Sequence, residues 1–416
     1  MKILLVHNTY QQLGGEDVVF DQERQLLERA GHHVVTYRRS NREIEEASAL
    51  SRLGLAKHTI WATDTRQQVA KLIHQEKPRL VHVHNTFMMV SPSVYAACRH
   101  AGVPVVQTLH NFRLACPAAA FYRNGGICEE CLQHGLWRGV WHGCYRGSRI
   151  ETAVVASMLE VHRVLRTWQE MVDCYIALTE FSRQKFIAAE LPEDRVLTKP
   201  NFIHPDPGEH TGSGEYALFV GRLSPEKGLR TLVAAWERIG CRIPVLIIGD
   251  GPERAALEAQ VTERRLCNIF FQGRLTRSQA LVAMKDAKFL VLPSQCYENF
   301  PMSIVEAFAC GVPVIASRLG AMQEIVDDHR TGLHFTPGDS EDLAAKVEWA
   351  WNHPREMEEM GREARAEYKA KYTAERNYEM LMEIYTKAIA ARGRGVFAEV
   401  RDGGFNLRSG ADAEVK

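Results

Sequence analysis

Two cations near the middle of the chain have the spacing and the setting to bind a phosphorylated ligand. Arg222 and Lys227 lie in the glycine-bounded segment 221–228, directly after a short apolar run that predicts a β-strand. A departing diphosphate accumulates negative charge, and a nearby Arg and Lys can neutralise that charge as a divalent metal ion otherwise would. The predicted contacts of this segment are Gly221, Arg222 and Lys227. The alternative is that both cations only form surface salt bridges.

Two glutamates further along the chain flank the start of a predicted helix. Pro301 suits the first position of a helix, which leaves Glu298 in the preceding loop and places Glu306 about two turns into the helix. Glu298 then faces the mouth of a cleft, Glu306 can accept hydrogen bonds from ribose hydroxyls, and the amides at the helix start can donate to phosphate. The predicted ligand contacts here are Glu298, Asn299, Phe300, Pro301 and Glu306. Alternatively, the two glutamates only favour the helix start and its solvent face.

Three glycines and one histidine also follow predicted strands. Gly251 lies in a tight turn before Pro252, which suits the first position of a helix, so free backbone N–H groups there can meet an anion or a base edge. Gly14 and Gly15 allow the backbone to approach a ligand closely. His110 ends the fourth predicted strand and points toward the predicted cleft. Turn geometry alone also explains the glycines, and isolated histidines are usually structural.

Two α/β units are needed to bring these residues together. Short runs rich in Val, Ile and Leu recur along the chain, each followed by a segment with helical spacing, which is typical of parallel strands joined by crossover helices. The predicted strands are 2–7, 33–37, 80–84, 103–109 and 174–178 in the first half and 216–220, 244–248, 268–271, 289–292 and 313–316 in the second. At 416 residues the chain also exceeds the usual size of one hydrophobic core. We therefore predict an α/β protein with two doubly wound, Rossmann-like domains facing a central cleft.

The predicted domain organisation has four parts. An N-terminal Rossmann-like domain covers 1–200 and contains a cysteine-rich insert at about 112–150. A linker rich in Pro and Gly covers 201–214, and a C-terminal Rossmann-like domain covers 215–392. A disordered tail covers 393–416, because the chain there loses its periodicity and becomes rich in Gly and charge. The end of the helical stretch 341–391 is expected to pack back onto the first domain.

Composition excludes some classes of partner. The 51 basic and 51 acidic side chains balance, so the chain offers no net field for nucleic acid. The first apolar run is too short for a signal peptide or a membrane span, and no later stretch approaches ~20 uncharged apolar residues. We therefore expect a cytoplasmic protein that at most touches the inner face of a membrane. Its 10 cysteines are expected to be reduced or bound to metal rather than paired in disulfides.

The chain resembles the retaining glycosyltransferases of family 4, which have the two-domain GT-B fold. In that family an Arg and a Lys in a G-R-x-x-x-x-K-G loop hold the donor diphosphate, and Arg222 and Lys227 match them. Two glutamates separated by seven residues contact the donor sugar and the ribose, and these resemble Glu298 and Glu306. The resemblance is dense over 221–337. It further implies that the loop with Gly14 and Gly15 lies near the donor and that His110 lies close to the reacting sugar.

This resemblance implies a glycosyltransferase that retains the configuration of the transferred sugar. It also implies that 1–200 is the acceptor-side domain and that 215–392 is the nucleotide-sugar-binding domain. The donor would be a UDP- or GDP-linked sugar, and the acceptor a hydroxyl of a saccharide or lipid-linked molecule in polysaccharide or glycolipid synthesis. Because the sequence contains no Asp-x-Asp triplet, the usual carboxylate clamp for a catalytic metal is absent, and we expect no catalytic cofactor. The alternatives are a nucleotide-sugar epimerase or a phosphorylase, and a non-catalytic subunit that binds nucleotide sugars.

The insert in the first half carries its own set of candidate residues. Its four cysteines are Cys116, Cys128, Cys131 and Cys144, and the two-residue gap inside the middle pair is that of a zinc knuckle. A structural zinc site is one interpretation, and free thiols or a redox pair are the others. The insert also contains an aromatic and basic mixture, which suits peripheral contact with a membrane or a phosphorylated lipid, or else a small local core. These residues are Trp137, Arg138, Trp141, Tyr145, Arg146 and Arg149.

Overall fold

The computed structural model describes residues 1–11, 14–44, 49–209 and 214–402, which form two α/β lobes. Each lobe is built on a six-stranded sheet in which all paired strands are parallel. This confirms the predicted pair of doubly wound domains. Residues 210–213 of the predicted linker and 403–416 of the predicted tail lie outside the described residues.

The N-terminal lobe contains a sheet with the strand order β2-β1-β3-β4-β7-β8 and a separate antiparallel hairpin, β5-β6, in the insert. Its strands are β1 (Lys2–Thr9), β2 (His33–Ser40), β3 (Leu80–Val83), β4 (Val105–Thr108), β5 (Tyr122–Arg123), β6 (Gly126–Ile127), β7 (Cys174–Ala177) and β8 (Val196–Thr198). Its helices are α1 (Gly15–Arg29), α2 (Ala49–Ile60), α3 (Thr63–Glu76), α4 (Ser93–His100), α5 (Glu130–His134), α6 (Trp137–His142), α7 (Arg149–Val164), α8 (Thr167–Glu170) and α9 (Glu180–Ala188).

The C-terminal lobe has the strand order β11-β10-β9-β12-β13-β14. Its strands are β9 (Tyr216–Val220), β10 (Val245–Ile248), β11 (Ile269–Gly273), β12 (Ala287–Leu292), β13 (Val314–Ser317) and β14 (Gly332–Phe335). The helices that follow β9 are α10 (Leu229–Ile239), α11 (Arg254–Glu263), α12 (Arg277–Lys285), α13 (Met302–Cys310), α14 (Gly320–Ile325), α15 (Ser340–Asn352), α16 (Pro354–Lys371) and α17 (Ala374–Asp402).

Local sequence explains where several of these elements lie. Strands β3, β4, β7, β13 and β14 are buried along their whole length, as expected for parallel strands covered by helices on both faces. Helices α7, α9 and α12 begin after Ser148, Thr179 and Thr276, whose side chains accept hydrogen bonds from free amides of the first turn. These caps fix the points at which the chain turns from a loop into a helix.

Helix α17 crosses from the C-terminal lobe to the sheet of the N-terminal lobe. Its residues Leu381, Tyr385 and Ala388 are buried in one cluster with Ile3 and Leu5 of β1. The expected return of the chain onto the first domain is therefore present. The helix also continues to Asp402 and so includes residues 393–402 of the predicted tail.

The end of strand β2 and the presence of strands β8 and β14 in the two main sheets differ from the prediction. Strand β2 extends to Ser40 because its last residues pair with the polar end of β1, Asn8 and Thr9. Strands β8 and β14 were not predicted, since one is only three residues long and the other begins with a glycine and carries His334 inside it. Both form only because a partner strand already lies beside them.

Cys241 and Cys267 form a disulfide, which corrects the expectation of unpaired thiols for these two residues. Their Cα atoms lie 5.8 Å apart. Each cysteine precedes one of the neighbouring parallel strands β10 and β11, so the sheet register places them side by side. The other cysteines are free.

Across the described ranges, no helix combines the length and apolar character that crossing a membrane requires.

Candidate active site in the cleft between the lobes

The strand order of each sheet marks one place where the chain changes direction across the sheet. In the N-terminal lobe this switch lies between β1 and β3, and in the C-terminal lobe between β9 and β12. Doubly wound sheets bind ligands beside such a switch, at the carboxyl ends of their strands. Gly14 follows β1, Arg222 follows β9, and Glu298 follows β12. The fold thus directs the predicted loops of both lobes toward the same region.

A cavity of about 920 Å³ lies between the lobes. It brings together six of the predicted contacts, and the wall also contains Asp250, Arg274, Arg277 and Met302. The six are Gly14, Gly15, Gly221, Arg222, Gly251 and Glu306. Lys227 lies in the same loop as Arg222, and the segment 298–301 directly precedes Met302 of the wall. Most of the predicted donor-side residues are therefore in or beside one cleft.

Lys227 and Glu298 form an ion pair between two loops of the C-terminal lobe. The Lys227 Nζ atom donates to Glu298 Oε1 at 2.6 Å, and the Ser294 hydroxyl donates to the same oxygen at 2.6 Å. Burial opposes the charged ammonium, but the Glu298 carboxylate outweighs it and raises the pKa of Lys227. Arg222, in contrast, is exposed at the cavity wall. The two cations thus differ in setting: one is paired with a carboxylate, and the other is open to the cleft.

Two glycines allow the donor-side loops to touch. A Cβ atom on Gly228 would lie 1.9 Å from the Pro293 carbonyl oxygen, and one on Gly249 would lie 1.8 Å from the Gly221 carbonyl oxygen. Gly228 also has a φ of 71°, which L-residues rarely adopt. Any larger residue would force apart the loops that carry Arg222, Lys227 and the Glu298 segment.

Gly251 has a different local role from the one predicted. Its amide donates to Asp250 Oδ1 at 2.8 Å, so it is not free for an anion. A Cβ atom there would lie 2.4 Å from the Leu223 carbonyl oxygen, which makes glycine necessary for packing. Pro252 also lies in a turn, and helix α11 begins later, at Arg254. The hydrogen bond to Asp250 and the close contact with Leu223 therefore fix this short loop before helix α11 begins.

The segment around Pro301 reaches across to the N-terminal lobe. Pro301 precedes the helix, whose first residue is Met302, so the prediction of Pro301 as the first helical residue is off by one. The side-chain Nδ2 atom of Asn299 donates to the Leu109 carbonyl oxygen at 2.7 Å. Phe300 packs with apolar residues of both lobes and with the Tyr372 ring rather than lining the cavity. Asn299 and Phe300 therefore join the two lobes directly beside Glu298.

Glu306 lies on α13 and is held by an arginine that the sequence analysis did not single out. Arg277 Nε donates to Glu306 Oε1 at 3.0 Å, and both residues line the cavity. Burial raises the pKa of Glu306, and the Arg277 guanidinium only partly offsets this. Arg274 and Arg277 follow β11. Reading the residues after every predicted strand, as for the other three loops, would have identified them.

His110 and Asn111 line a separate small pocket of the N-terminal lobe rather than the interlobe cavity, and Asn111 belongs to a polar cluster around Glu16. Asn111 Nδ2 donates to Glu16 Oε1 at 2.6 Å and lies 3.3 Å from the Tyr10 hydroxyl. Burial raises the pKa of Glu16 to about 7, and it also raises the pKa of Tyr10. The Gly14 amide donates to Asp17 Oδ2 at 2.8 Å, which fixes the glycine loop at the start of α1. The contacts of Asn111 with Glu16 and Tyr10 were not predicted, because they join distant segments of the chain.

The four cysteines of the insert lie near one another without closing into a tetrahedron. A Cβ atom on Gly139 would lie 3.3 Å from Cys131 Sγ, and the Cys144 amide donates to the Gly139 carbonyl oxygen at 3.0 Å. Burial and the neighbouring thiols of Cys116, Cys144 and Cys128 raise the pKa of Cys131 to about 12. Within the described residues, no three of these sulfur atoms lie within 4.8 Å of one another. Neutral thiols on separate segments have no mutual attraction that would draw them closer.

The aromatic and basic residues of the insert divide between a local core and the surface. Tyr145 packs edge-on against Phe87 of the N-terminal lobe. Trp137 and Trp141 are 57% and 63% exposed, and the guanidinium groups of Arg138 and Arg149 lie over their rings. Ile150 is 80% exposed. The interpretation as a local core therefore applies to Tyr145, while contact with a membrane or a phosphorylated lipid stays a prediction for the exposed residues.

Residues of both lobes also meet beside the insert. Tyr297 of the C-terminal lobe packs against Phe181 with ring centroids 4.7 Å apart and against Phe121 at 6.0 Å. Glu324 accepts hydrogen bonds from the Glu180 and Phe181 amides at 2.8 Å and 2.7 Å, which caps the start of α9 from the opposite lobe. The lobes are therefore held in contact on this side of the cleft.

Comparison with known proteins identifies relatives of both lobes. Residues 203–367 match the family "Glycosyl transferases group 1", and residues 13–207 match "Glycosyltransferase Family 4". The D-rhamnosyltransferase WbpZ of Pseudomonas aeruginosa is 35% identical over 161 residues, which cover 38% of this chain and 42% of that protein. The O-antigen chain mannosyltransferase C of Escherichia coli is 27% identical over 184 residues, which cover 44% and 49% of the two chains. This chain thus spans about half the length of these curated relatives.

The fold also matches solved structures over nearly the whole chain. The structure of Anabaena HepE in complex with UDP aligns with a TM-score of 0.66 at 18% identity, covering 93% of this chain and 100% of that one. At this level of identity the likeness establishes the GT-B fold and nothing more specific.

Proposed function

Since this chain belongs to the group 1 glycosyltransferases, we propose that it transfers a sugar from a UDP- or GDP-linked donor to a hydroxyl of a saccharide or lipid-linked acceptor. The observation that carries this proposal is the interlobe cavity, which is lined by Arg222, Arg274 and Arg277 and by the glycine loop of the opposite lobe. Cations on one side and an open backbone on the other suit a ligand with a diphosphate next to a sugar.

The donor diphosphate would take the place between Arg222 and Lys227. Lys227 already donates to Glu298, so a bound phosphate adds a second anion to a cation that is held in position. As the bond to the sugar breaks, the negative charge on the leaving group grows, and the fixed cations then stabilise the transition state more than the ground state.

Glu298 would face the donor sugar. Lys227 and Ser294 both donate to its Oε1 atom, while Oε2 has no hydrogen-bond partner within the described part of the chain. That oxygen can accept from a sugar hydroxyl. Glu306, held by Arg277 at the cavity wall, can accept from the ribose.

Two finer features of the reaction belong to the proposal: retention of configuration and independence from metal. In the proposed step, the acceptor oxygen forms a bond to the anomeric carbon on the face from which the diphosphate leaves. A donor phosphate oxygen takes the acceptor's proton, so no protein base is consumed. The sequence lacks an Asp-x-Asp triplet, and the cation pair supports charge neutralisation by the protein itself.

The names of the relatives support the substrate classes. HepE was crystallised with UDP, and another relative is named an O-antigen chain mannosyltransferase. These names support a role in polysaccharide or glycolipid synthesis.

The test is release of nucleoside diphosphate from UDP- and GDP-linked sugars, with and without saccharide acceptors and with EDTA. We expect release that requires an acceptor and survives EDTA, and a product whose anomeric coupling constant by NMR equals that of the donor. Donor conversion without an acceptor would instead indicate an epimerase, and dependence on inorganic phosphate a phosphorylase. Donor binding with no release for any acceptor would indicate a non-catalytic subunit.

We further propose that Cys116, Cys128, Cys131 and Cys144 hold a structural zinc ion. The convergence of three of their segments on Gly139 supports this, since tetrahedral zinc accepts four thiolates from such loops. Zinc analysis of the purified full chain should give one ion per molecule in the wild type and less in a Cys128→Ser, Cys131→Ser variant. A metal-free wild type with unchanged thermal stability in the variant contradicts the site.

The exposed aromatic and basic residues of the insert are proposed to contact anionic lipid. Trp137, Trp141 and Ile150 offer apolar side chains, and Arg138 and Arg149 offer charge beside them. Sedimentation with phosphatidylglycerol vesicles should exceed that with phosphatidylcholine vesicles and should fall in a Trp137→Ser, Trp141→Ser variant. Equal sedimentation of both proteins with both vesicles would rule this contact out.

A further inference from the structure

A continuous set of polar side chains extends from His110 into the core of the N-terminal lobe. His110 Nε2 lies 3.0 Å from His84 Nδ1, and His84 Nε2 lies 3.2 Å from Glu23 Oε1. Lys199 Nζ lies 3.2 Å from Glu23 Oε2. His84, Glu23 and Lys199 are at most 2% exposed, so this set is closed to solvent except at His110.

A metal ion is one occupant to consider for this region, because Glu23, His82 and His84 offer ligand atoms within 4.8 Å of one another. Two observations argue against it. The Lys199 ammonium already lies on the Glu23 carboxylate and supplies the positive charge that a metal would bring. The two ring nitrogens of His82 lie 2.8 Å from the hydroxyls of Tyr385 and Thr108, and Nδ1 also lies 2.9 Å from Glu23 Oε1. These contacts and the ion pair with Lys199 account for the cluster without an ion.

The protonation states in this network follow from burial and charge. Burial lowers the pKa of His84 to about 3 and holds the pKa of His110 well below its usual range, so both rings are neutral near pH 7. Burial opposes ionisation of Glu23, but Lys199, His82 and His84 outweigh it and hold the pKa of that carboxyl well below its usual range. Glu23 is therefore a carboxylate, which can only accept hydrogen bonds.

We propose that His84 is a positioning residue that fixes the tautomer of His110. A neutral imidazole carries one N–H, and the Glu23 carboxylate oxygen 3.2 Å from Nε2 favours the proton of His84 on that atom by electrostatic attraction, without a hydrogen bond between the two atoms. Its Nδ1 atom is then an acceptor. His110 therefore carries its proton on Nε2, donates it to His84, and keeps a lone pair on Nδ1.

This inference rests on the proposed function for its consequence. Nδ1 of His110 has no hydrogen-bond partner among the residues that the structure describes. Its neighbour Leu109 accepts from Asn299, so His110 lies next to the loop that carries Glu298. Under the proposed function, this nitrogen is a neutral acceptor for a hydroxyl of the transferred sugar. A neutral ring also avoids placing a positive charge beside the oxocarbenium-like centre that forms during transfer.

The test is the tautomer itself, which does not depend on activity. In the full chain labelled with ¹⁵N-histidine, long-range ¹H–¹⁵N correlation spectra should show His84 and His110 as neutral rings protonated on Nε2 from pH 6 to 8. Signals are assigned by loss in single His84→Gln and His110→Gln variants. His110 protonated on Nδ1, or titrating near pH 6.5, overturns the proposal, whether or not the protein transfers sugar.

Kinetics provide a second readout if the spectra are crowded or a variant unfolds. In His84→Gln the side-chain oxygen can still accept from His110, whereas His84→Phe cannot. We expect kcat to fall roughly 10- to 100-fold in His84→Phe, by analogy with the outer partners of functional histidines, and less in His84→Gln. His162→Gln changes another buried histidine of this lobe, bonded to Thr167, and serves as the control. Equal kcat values of folded His84→Phe and the wild type contradict the proposal. If the wild type shows the expected tautomers but transfers no sugar, only the proposed function is overturned.

Discussion

Lys227 and Glu298 show how single residues balance charge in the cleft. Their ion pair leaves Lys227 24% exposed and Glu298 12% exposed at the side chain, so each partly desolvates the other. Removing either partner would leave the other as a poorly solvated charge. The pair thus keeps a cation beside the phosphate position before any donor arrives. Arg222, which is open to the cleft, supplies the second charge.

Glu16 gives a prediction for pH dependence at the level of one residue. Burial raises its pKa in the folded chain to about 7, above the value of about 4.3 in an unfolded chain. The folded state therefore holds the proton more tightly, and its advantage is lost as pH rises through this window. Glu16→Gln keeps the oxygen that accepts from Asn111 but does not titrate. The free energy of unfolding of the wild type relative to this variant should fall between pH 5 and 8, by at most about 1.4 kcal/mol per pH unit.

Urea unfolding at several pH values measures this difference. Glu28→Gln, a change at an exposed position on the same helix, is the matched control and should show no such trend. A difference between wild type and Glu16→Gln that stays constant or rises with pH contradicts the raised pKa of Glu16.

A site residue can be predicted from the sequence when a local pattern marks it, such as a position directly after a predicted strand. Arg222 and Gly14 were predicted because each follows a strand, Glu306 was predicted because it lies about two turns after Pro301, and the cavity contains all three. Their partners were not predicted. Arg277 and Asn111 meet Glu306 and Glu16 only after distant parts of the chain have folded, so no spacing in the sequence indicates those bonds.

At the scale of elements, helix α17 ties the C-terminal end of the chain to the first sheet. Leu381 on this helix is fully buried against residues of β1. Leu381→Ala should lower the free energy of unfolding by about 2–5 kcal/mol, because a buried leucine leaves both lost apolar contact and a cavity. Denaturant unfolding followed by tryptophan fluorescence measures the change. Glu383→Ala, at an exposed position on the same helix, should have little effect, and an equal effect of the two changes would contradict the packing.

Periodicity predicted the strands that are buried and apolar along their whole length. It did not predict β14, in which His334 interrupts the apolar pattern, or the end of β2, which is polar. Those residues are in strands because neighbouring strands pair with them, and pairing partners are not visible in a local pattern. For the same reason the disulfide between Cys241 and Cys267 follows from the sheet register and not from cysteine spacing.

At the scale of the whole molecule, a few polar contacts hold the lobes together on one side of the cleft. Glu324 caps α9 of the opposite lobe through two backbone amides. Glu324→Ala removes both acceptors, so open arrangements should gain population and the radius of gyration from small-angle X-ray scattering should increase. Glu341→Ala removes an exposed carboxylate of the same lobe and is the control. Scattering curves that superimpose for Glu324→Ala and the wild type would show that this contact does not set the closure.

The central claim is that the cleft binds a nucleoside diphosphate through Arg222 and Lys227, and calorimetric titration of the full chain with UDP and GDP tests it most directly. One of the two nucleotides should bind the wild type. Arg222→Ala and Lys227→Ala should each weaken its binding by roughly 10- to 100-fold, the usual value of a hydrogen bond to a charged group, while Arg238→Ala, at an exposed position on α10, leaves it unchanged. Wild-type affinity in both cleft variants would contradict the account.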